Sequence, residues 1–343
     1  MGYFDTLISE RYEALHFFSD AATGLRALVG LHSTKLGPAI GGTRALTTYA
    51  SEEAAVHDVL RLSRGMSYKA ALAGLPHGGG KSVIILPKGP FDRERLFEAF
   101  GRAVHGLGGR YLPAEDSGTG PADMAYIRRA TPHVLGLEGK SGDPSPVTAY
   151  GVWRGIEAAA RRVLGRGDLQ GLRVTVMGVG HVGMPLCEYL HKAGARLWVS
   201  DVNAARVDEA VQRFGATALS PEALIGQEAD VYAPCALGGA INDATLPQLR
   251  VKLVAGAANN QLAEPRHGEL LAQRGITYCP DYAINAGGLI NVAMEVGTYD
   301  RDQAYARASR IYDTIDQILE RAKGSGFRPE QVADKMVEEK LYG

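Results

Sequence analysis

Residues 171–201 read GLRVTVMGVGHVGMPLCEYLHKAGARLWVSD, and this stretch decides the fold class. The apolar run Arg173 to Met177 predicts a buried strand. HVGMPLCEYLHKAG predicts a helix, and ARLWVSD predicts a second strand that ends at Asp201. Strand, helix and strand in this order form one βαβ unit of a parallel sheet. Gly178, Gly180 and Gly183 fall in the first strand-to-helix turn. The first glycine permits the tight turn, the second lets a pyrophosphate approach the backbone, and the third lets helix and sheet pack closely. His181 and Val182 complete the loop. A phosphate there would meet the free N–H groups and the positive end of the helix. Asp201 is placed to accept hydrogen bonds from the adenosine ribose hydroxyls. Its charge opposes a 2′-phosphate, so the residues favour NAD over NADP. Arg206 works against that reading, because it could reach a phosphate. The glycines alone would also suit a structural turn of some other doubly wound domain; the acid at the end of the second strand is what makes the pattern specific.

Downstream, ADVYAP (229–234) and VKLVAGAA (251–258) suit later strands of the same sheet, and the chain from Asn285 onward reads as mostly helical. Upstream, LRALVGL (25–31) predicts a buried strand. SEEAAVHDVLRLSRGMSYKAAL (51–72) predicts a helix, with Ser51 as its cap and Glu52 and Glu53 in the favourable first turn. In GLPHGGGKSVIIL (74–86) the glycines predict a packed turn leading into a strand from Ser82 to Leu86. A helix at 93–108 and a short strand, RYLPAED (110–116), follow. Pro144 and Pro146 punctuate SGDPSPVTAYG (141–151), which marks a hinge before a helix from Val147 to about Leu164, closed by Gly165 and Gly167. The fold class is therefore α/β in two domains, residues 1–140 and a Rossmann-type domain over 141–324.

Composition bounds the function. A chain of 343 residues, 45% apolar, is long enough for two cores, and a net charge of -1 gives no basic surface for nucleic acid. Cys187, Cys235 and Cys279 form no CxxC pair, and the nine histidines show no metal spacing. The N-terminal residues lack an apolar core segment, and no apolar run is long enough to span a membrane. The expectation is a cytoplasmic protein with small-molecule partners and no metal.

Three polar residues of the first domain stand near predicted element ends: Lys69 late in the 51–72 helix, Lys81 after Gly78 to Gly80, and Asp116 at the end of RYLPAED. Strand ends and adjoining loops are where α/β folds build sites. A lysine beside packed glycines can be partly desolvated, which lowers its pKa toward that of a usable base. Each residue alone could equally be a surface lysine or a helix cap. GGGK lacks the spacing of a nucleoside-triphosphate loop, although Ser82 follows it.

The strings LGPAIGGTR (36–44), RLSRGMSYKAALAGLPHGGGK (61–81), RYLPAED (110–116), GDPSPVTAYGV (142–152), MGVGHVG (177–183), YAPCALGG (232–239), GAANNQL (256–262) and PDYAINAGGLINV (280–292) together resemble the leucine, phenylalanine and valine dehydrogenases of the wider glutamate dehydrogenase superfamily. The leucine-type members are the most similar. The resemblance covers about residues 10–338. It implies an N-terminal substrate and oligomerisation domain, a dinucleotide domain, a cleft between them, and C-terminal helices at about 325–343 returning to the first domain. It implies NAD as cofactor, an amino acid, a 2-oxo acid and ammonia as small-molecule partners, and a homo-oligomer. By motif, Lys69 is similar to the residue that binds the substrate carboxylate, and Lys81 and Asp116 to the catalytic pair. Gly41 and Gly42 would shape the substrate site. Ile40, Met66, Ala114, Leu289 and Val292 would line the side-chain pocket, and Thr148, Asn260 and Asn285 the nicotinamide region.

Two departures stand out: His77 where leucine-type relatives commonly carry an apolar residue, and Ala45-Leu46 after GGTR. Neither removes a catalytic group. Ala114 fits the leucine-type pattern, aromatic-specific relatives tending to glycine there; at Leu289 leucine-type enzymes tend to valine. Both residues shrink the pocket relative to smaller ones, so leucine, isoleucine and valine are the expected substrates and phenylalanine the rival. Glutamate is disfavoured, because its second carboxylate would be buried among apolar residues. A non-catalytic NAD-binding protein would keep the glycines and Asp201 without needing Lys69, Lys81 and Asp116 together, and a purely structural protein would not bind the dinucleotide at all.

Overall fold

In the computed structural model, which describes residues 2–343, strand character in the first hundred residues follows from apolar runs that need two covered faces. The elements of this part are α1 (Tyr3–Ser9), β1 (Ala14–Asp20), β2 (Leu25–Ser33), β3 (Ala39–Leu46), α2 (Glu52–Leu72), β4 (Gly78–Ile85), α3 (Arg93–His105), β5 (Tyr111–Glu115) and α4 (Pro121–Ala130). The strands form a five-stranded sheet in the order β1-β2-β4-β3-β5. β1 pairs antiparallel with β2 and β2 with β4, whereas β3 runs parallel to both β4 and β5. β4 and β3 sit centrally and are buried along almost their whole length. Edge strand β1 is half-buried, with Phe17 exposed.

The two faces of this sheet are covered differently. Leu25, Ala27, Val29 and Leu31 of β2 pack with Leu96, Phe97 and Phe100 of α3 and with Met124 and Ile127 of α4. Leu28 and Val83 face the other way, against Ala55, Val56, Val59 and Leu60 of α2. Ser51 does cap α2, its Oγ accepting from the Ala54 N–H at 3.1 Å. The expectation for Gly78–Gly80 is corrected: they form no turn but are the first three residues of β4. Their purpose is close approach. A Cβ on Gly79 would lie 1.9 Å from the Ser67 backbone nitrogen, and one on Gly78 would lie 1.9 Å from the Ser33 carbonyl oxygen. Helix α2 therefore rests backbone-to-backbone on β4 in the turn that holds Met66 and Lys69. Lys81, expected at the head of a strand, sits in the middle of one.

The remaining elements are α5 (Ser145–Leu164), β6 (Arg173–Met177), α6 (Gly183–Lys192), β7 (Arg196–Ser200), α7 (Ala204–Phe214), β8 (Thr217–Ala218), α8 (Pro221–Gly226), β9 (Val231–Pro234), β10 (Leu253–Val254), α9 (Arg266–Gln273), β11 (Thr277–Tyr278), α10 (Asp281–Ile284), α11 (Gly287–Ala293), α12 (Arg301–Ser309), α13 (Ile311–Ser325) and α14 (Pro329–Tyr342). Six parallel strands take the order β11-β10-β9-β6-β7-β8. The chain starts at β6 in the middle, winds outward to β8, and returns to fill the other side. That is a doubly wound Rossmann sheet with its switch point between β6 and β9. Its core on one side gathers Tyr232, Ile241, Leu249, Val254, Leu271 and Ile276. Gly165 ends α5 in the left-handed conformation, with φ of 66°.

By contacts the chain divides into two compact units. The first comprises residues 1–142, 291–301 and 337–343, the second residues 143–290 and 302–336. Residues 325–336 thus group with the second unit rather than returning to the first. The final stretch 337–343 is tied to the first unit by Lys340, whose Nζ donates to the Ala71 carbonyl at 2.8 Å, and by Arg11 stacked on the Tyr342 ring. Among the described residues no helix is long and apolar enough to cross a membrane.

Candidate active site

Side chains alternate across the first sheet, and that alternation gathers its polar residues. Lys81 pairs in register with Gly30 of β2, on the face that α2 covers. On the same face, β3 presents Ile40, Gly42 and Arg44, and β5 presents Ala114 with Asp116 just beyond its end. Lys81 Nζ and Asp116 Oδ2 stand 2.8 Å apart, with side-chain exposures of 7% and 23%. Gly42 makes the room: a Cβ there would lie 2.7 Å from Asp116 Cβ and 3.0 Å from Lys81 Nζ. Gly41 serves the sheet instead, since a Cβ on it would overlap the Gly80 carbonyl oxygen at 1.7 Å.

Asp116 is held from its backbone as well. Its N–H donates to Thr119 Oγ1 at 2.9 Å, and the Thr119 hydroxyl lies 2.9 Å from the Thr43 carbonyl oxygen. Arg93 donates to the Gly118 carbonyl and to Asp123, which fixes the loop further on. Burial pushes the Lys81 ammonium below its ordinary value of 10.5, Asp116 pulls it back up, and Arg44 presses it down again, for a net lowering. Burial alone would raise Asp116, but Lys81 and Arg44 hold its carboxyl below the usual range. The arrangement is an ionised acid beside a lysine whose proton is loosened, which is the equipment of a proton-transfer site.

Beneath it, on the other face, lies a polar relay that the sequence reading missed. Tyr111 donates to the Gly41 carbonyl oxygen at 2.8 Å and meets Ser82 Oγ at 2.9 Å, and Ser82 bonds Thr43 at 3.0 Å. Arg44, Asp58 and Tyr49 were missed too. The only sequence signal for them was the position of Arg44 two residues beyond Gly42, on the same strand face.

Of the proposed pocket residues, Ile40 and Ala114 are buried in the first unit, and Met66 and Val292 are half-buried there. Leu289 is buried and belongs to the second unit, three residues before Val292 on α11. Lys69 is half-buried on α2, three residues beyond Met66 and thus on a neighbouring part of the same helix face. His77 is buried just before β4.

In the second unit the glycine turn takes the conformation its spacing implied. Gly178 has φ of +97°, and a Cβ on Gly183 would lie 1.9 Å from the Gly178 carbonyl oxygen. Above Gly180 the nearest atom to such a Cβ is Arg206 Nη1, at 3.4 Å, the end of a flexible side chain. No side chain caps α6 at Val182. The Met184 N–H is taken by the Gly180 carbonyl at 3.0 Å and Pro185 carries none, so a phosphate would meet the N–H groups of the loop and of Gly183. Asp201 accepts from the N–H of Val179 at 2.8 Å and from that of Asn203 at 2.9 Å, which ties the end of β7 to the glycine turn. Exposed His181 lies 3.8 Å from Asp143. Asn285 donates to the Ala257 carbonyl and to Asn259 Oδ1, at 3.0 and 2.8 Å, while its own Oδ1 is buried without a partner. Asn260 takes a left-handed conformation with φ of 51°, and Thr148 donates to the Pro144 carbonyl oxygen. An open glycine cradle, an uncapped helix start and an orphaned amide oxygen fit a nicotinamide dinucleotide.

The sequence comparisons agree with this geometry. Residues 13–133 match the family model of the Glu/Leu/Phe/Val dehydrogenase dimerisation domain, and residues 201–333 match that of glutamate/leucine/phenylalanine/valine dehydrogenase. A leucine dehydrogenase of Bacillus cereus is 49% identical over 341 residues, covering 98% of this chain and 93% of the relative. A valine dehydrogenase of Streptomyces virginiae is 48% identical over 336 residues, covering 96% and 94%. The crystal structure of L-tryptophan dehydrogenase from Nostoc punctiforme superimposes with a TM-score of 0.91 at 41% identity over 98% of both chains. The fold and site define an amino-acid dehydrogenase that uses a nicotinamide dinucleotide. The chain belongs to the Glu/Leu/Phe/Val dehydrogenase family.

Proposed function

We infer that this protein catalyses the reversible oxidative deamination of apolar L-amino acids, leucine foremost, to 2-oxo acids and ammonia with NAD, as a cytoplasmic homo-oligomer. The observation that carries the reading is the buried Lys81–Asp116 pair beside Gly42. When bound, the nicotinamide supplies the hydride acceptor. Lys69 pairs with the substrate α-carboxylate and orients the α-carbon. Lys81, with its proton loosened, takes a proton from the attacking water and polarises the developing oxygen. Asp116, ionised at rest, takes up a proton from the substrate nitrogen and gives it back as the reaction proceeds. The thiol state of all three cysteines suits a reducing compartment.

NAD is preferred because Asp201, the residue after β7, carries a negative charge beside the glycine turn. The end of Arg206 lies 3.4 Å from where a Cβ on Gly180 would stand, close to the expected pyrophosphate. The branched-chain preference is supported by Ile40, Met66, Ala114 and Val292 in the first unit and Leu289 in the second, all apolar, and by the leucine and valine dehydrogenases among the relatives. Burying the second carboxylate of glutamate unpaired among such residues would cost more than an unpaired neutral polar group does, about 2–7 kcal/mol. The similarity to a tryptophan dehydrogenase favours a second reading, an aromatic substrate. The deciding measurement is kcat/KM for leucine, isoleucine, valine, phenylalanine, tryptophan and glutamate with NAD and NADP. Modest differences among the branched substrates are expected, within about 1–3 kcal/mol for a methylene misfit, together with weak use of glutamate. Phenylalanine or tryptophan outperforming all three would overturn the leucine reading.

A further inference from the structure

Arg44 stands on β3, on the same sheet face as Lys81, and touches both sides of a charged chain. Its Nε donates to Asp116 Oδ2 at 3.0 Å, the same oxygen that Lys81 Nζ meets at 2.8 Å. Its Nη1 donates to Asp58 Oδ2 at 2.8 Å. Asp58 is itself braced, accepting from the Tyr49 hydroxyl at 2.7 Å and from Arg61 at 3.0 Å. The side chains of Arg44, Asp58 and Asp116 are only 21%, 17% and 23% exposed. The chain of contacts thus runs from α2 through β3 to the loop after β5 and ends on β4.

We propose that Arg44 is a positioning residue for this reaction, a guanidinium braced on Asp58 that holds the Asp116 carboxylate against Lys81. The inference rests on Lys81 and Asp116 being the proton-transfer pair. The geometry uses a planar fork: one edge serves Asp116 while another serves Asp58, a two-sided fit that a lysine's ammonium reproduces only in part. The charge acts as well, because a fixed cation beside Lys81 disfavours a second one. Acting on Lys81 are Asp58 from α2, Arg44 from β3 and Asp116 from the loop after β5; Tyr49 and Arg61 bond Asp58, and Tyr111 lies on the opposite face of the sheet. Asp58 and Asp116 are held below the carboxylate range, and Tyr49 and Tyr111 are pushed above the usual phenol value by burial. Of the pair, Lys81 is therefore the member whose loss of a proton sets the rise of activity with pH. Arg44 presses its pKa down and Asp58 draws it up, so the two should move the pH profile in opposite directions.

The test uses the full-length protein and four variants, Arg44→Gln, Arg44→Lys, Asp58→Asn and Lys81→Ala. The readouts are the pH profile of kcat/KM for deamination, the separate kcat and KM, NADH affinity by fluorescence, and Tm. Arg44→Gln should lower kcat by about ten- to a hundredfold, the scale of a misplaced reacting group. It should leave NADH affinity unchanged and move the rising limb of the profile to higher pH. Arg44→Lys should restore the limb but only part of kcat. Asp58→Asn should lower kcat and move the limb to lower pH. If Arg44→Gln fails to fold, the other two variants carry the same test. Variants with a lowered Tm but the wild-type kcat and limb would overturn the inference and leave Arg44 a structural brace. A Lys81→Ala enzyme with near-normal turnover would overturn the proton-transfer reading itself, and this inference with it. An inactive Lys81→Ala enzyme beside an unaltered Arg44→Gln enzyme would overturn the role of Arg44 alone.

Discussion

The glycine turn of the second unit and the charged cluster of the first solve opposite problems. Around Gly178–Gly183 the groups a phosphate would meet are mostly backbone, with only the flexible end of Arg206 near Gly180 and Asp201 on the Val179 N–H. Around Lys81 the working groups are side chains, each held by another: Asp116 by Lys81, Arg44 and Thr119, and Arg44 by Asp58. Glycine serves both, in different ways. Gly178 and Gly183 shape a turn, whereas Gly79 and Gly42 remove a Cβ so that a helix or a carboxylate can come close. A site built from backbone depends on a few neighbouring residues, and one built from side chains depends on the whole sheet.

The sharpest break between the two regions is Lys81→Ala. It should lower turnover by at least about a hundredfold, the usual scale for a lost acid–base group, while NADH affinity, measured by fluorescence titration, stays close to wild type. The pH profile adds a sign. On the proposed mechanism the base form of Lys81 is the active one in deamination; its pKa is lowered, so activity should climb with pH and reach its plateau below 10.5. Asp116, held low, stays ionised throughout. A profile that peaks below neutrality would contradict this assignment.

Two glycine substitutions should separate the regions by readout. Gly183→Ala would place a Cβ 1.9 Å from the Gly178 carbonyl oxygen, so the turn must shift and NADH affinity should fall with amino-acid KM little changed. Gly79→Ala would place one 1.9 Å from the Ser67 nitrogen. It should destabilise the first unit by about 1–3 kcal/mol, as overpacking does, which thermal unfolding would register while NADH affinity holds. Equal effects of both changes on both readouts would dissolve the comparison.

The smallest effect is expected at Asp201. Asp201→Ala should narrow the preference for NAD over NADP by about tenfold, the equivalent of one hydrogen bond of roughly 1–1.5 kcal/mol. Titration of the variant with both cofactors measures it. An unchanged ratio would mean that Asp201 only braces the glycine turn through Val179 and Asn203.

What the sequence determined by itself was local in character. Strand β6, the glycine turn, α6 and β7 follow one another without interruption, so apolar periodicity and glycine spacing were enough to place a Rossmann sheet and its glycine turn. The Ser51 cap and the Gly165 stop were legible for the same reason, since each acts within one turn of helix. The motif resemblance added Lys69, Lys81 and Asp116 as candidates. Only the tertiary structure decided that Gly78–Gly80 are strand rather than turn, because the reason lies in Ser33 and Ser67, residues distant in sequence. It also decided that Arg44 and Asp58 belong beside Lys81. Their proximity depends on the pairing order β2-β4-β3-β5 and on α2 lying across it, and a side chain's partners across a sheet are set by register, which no local pattern encodes.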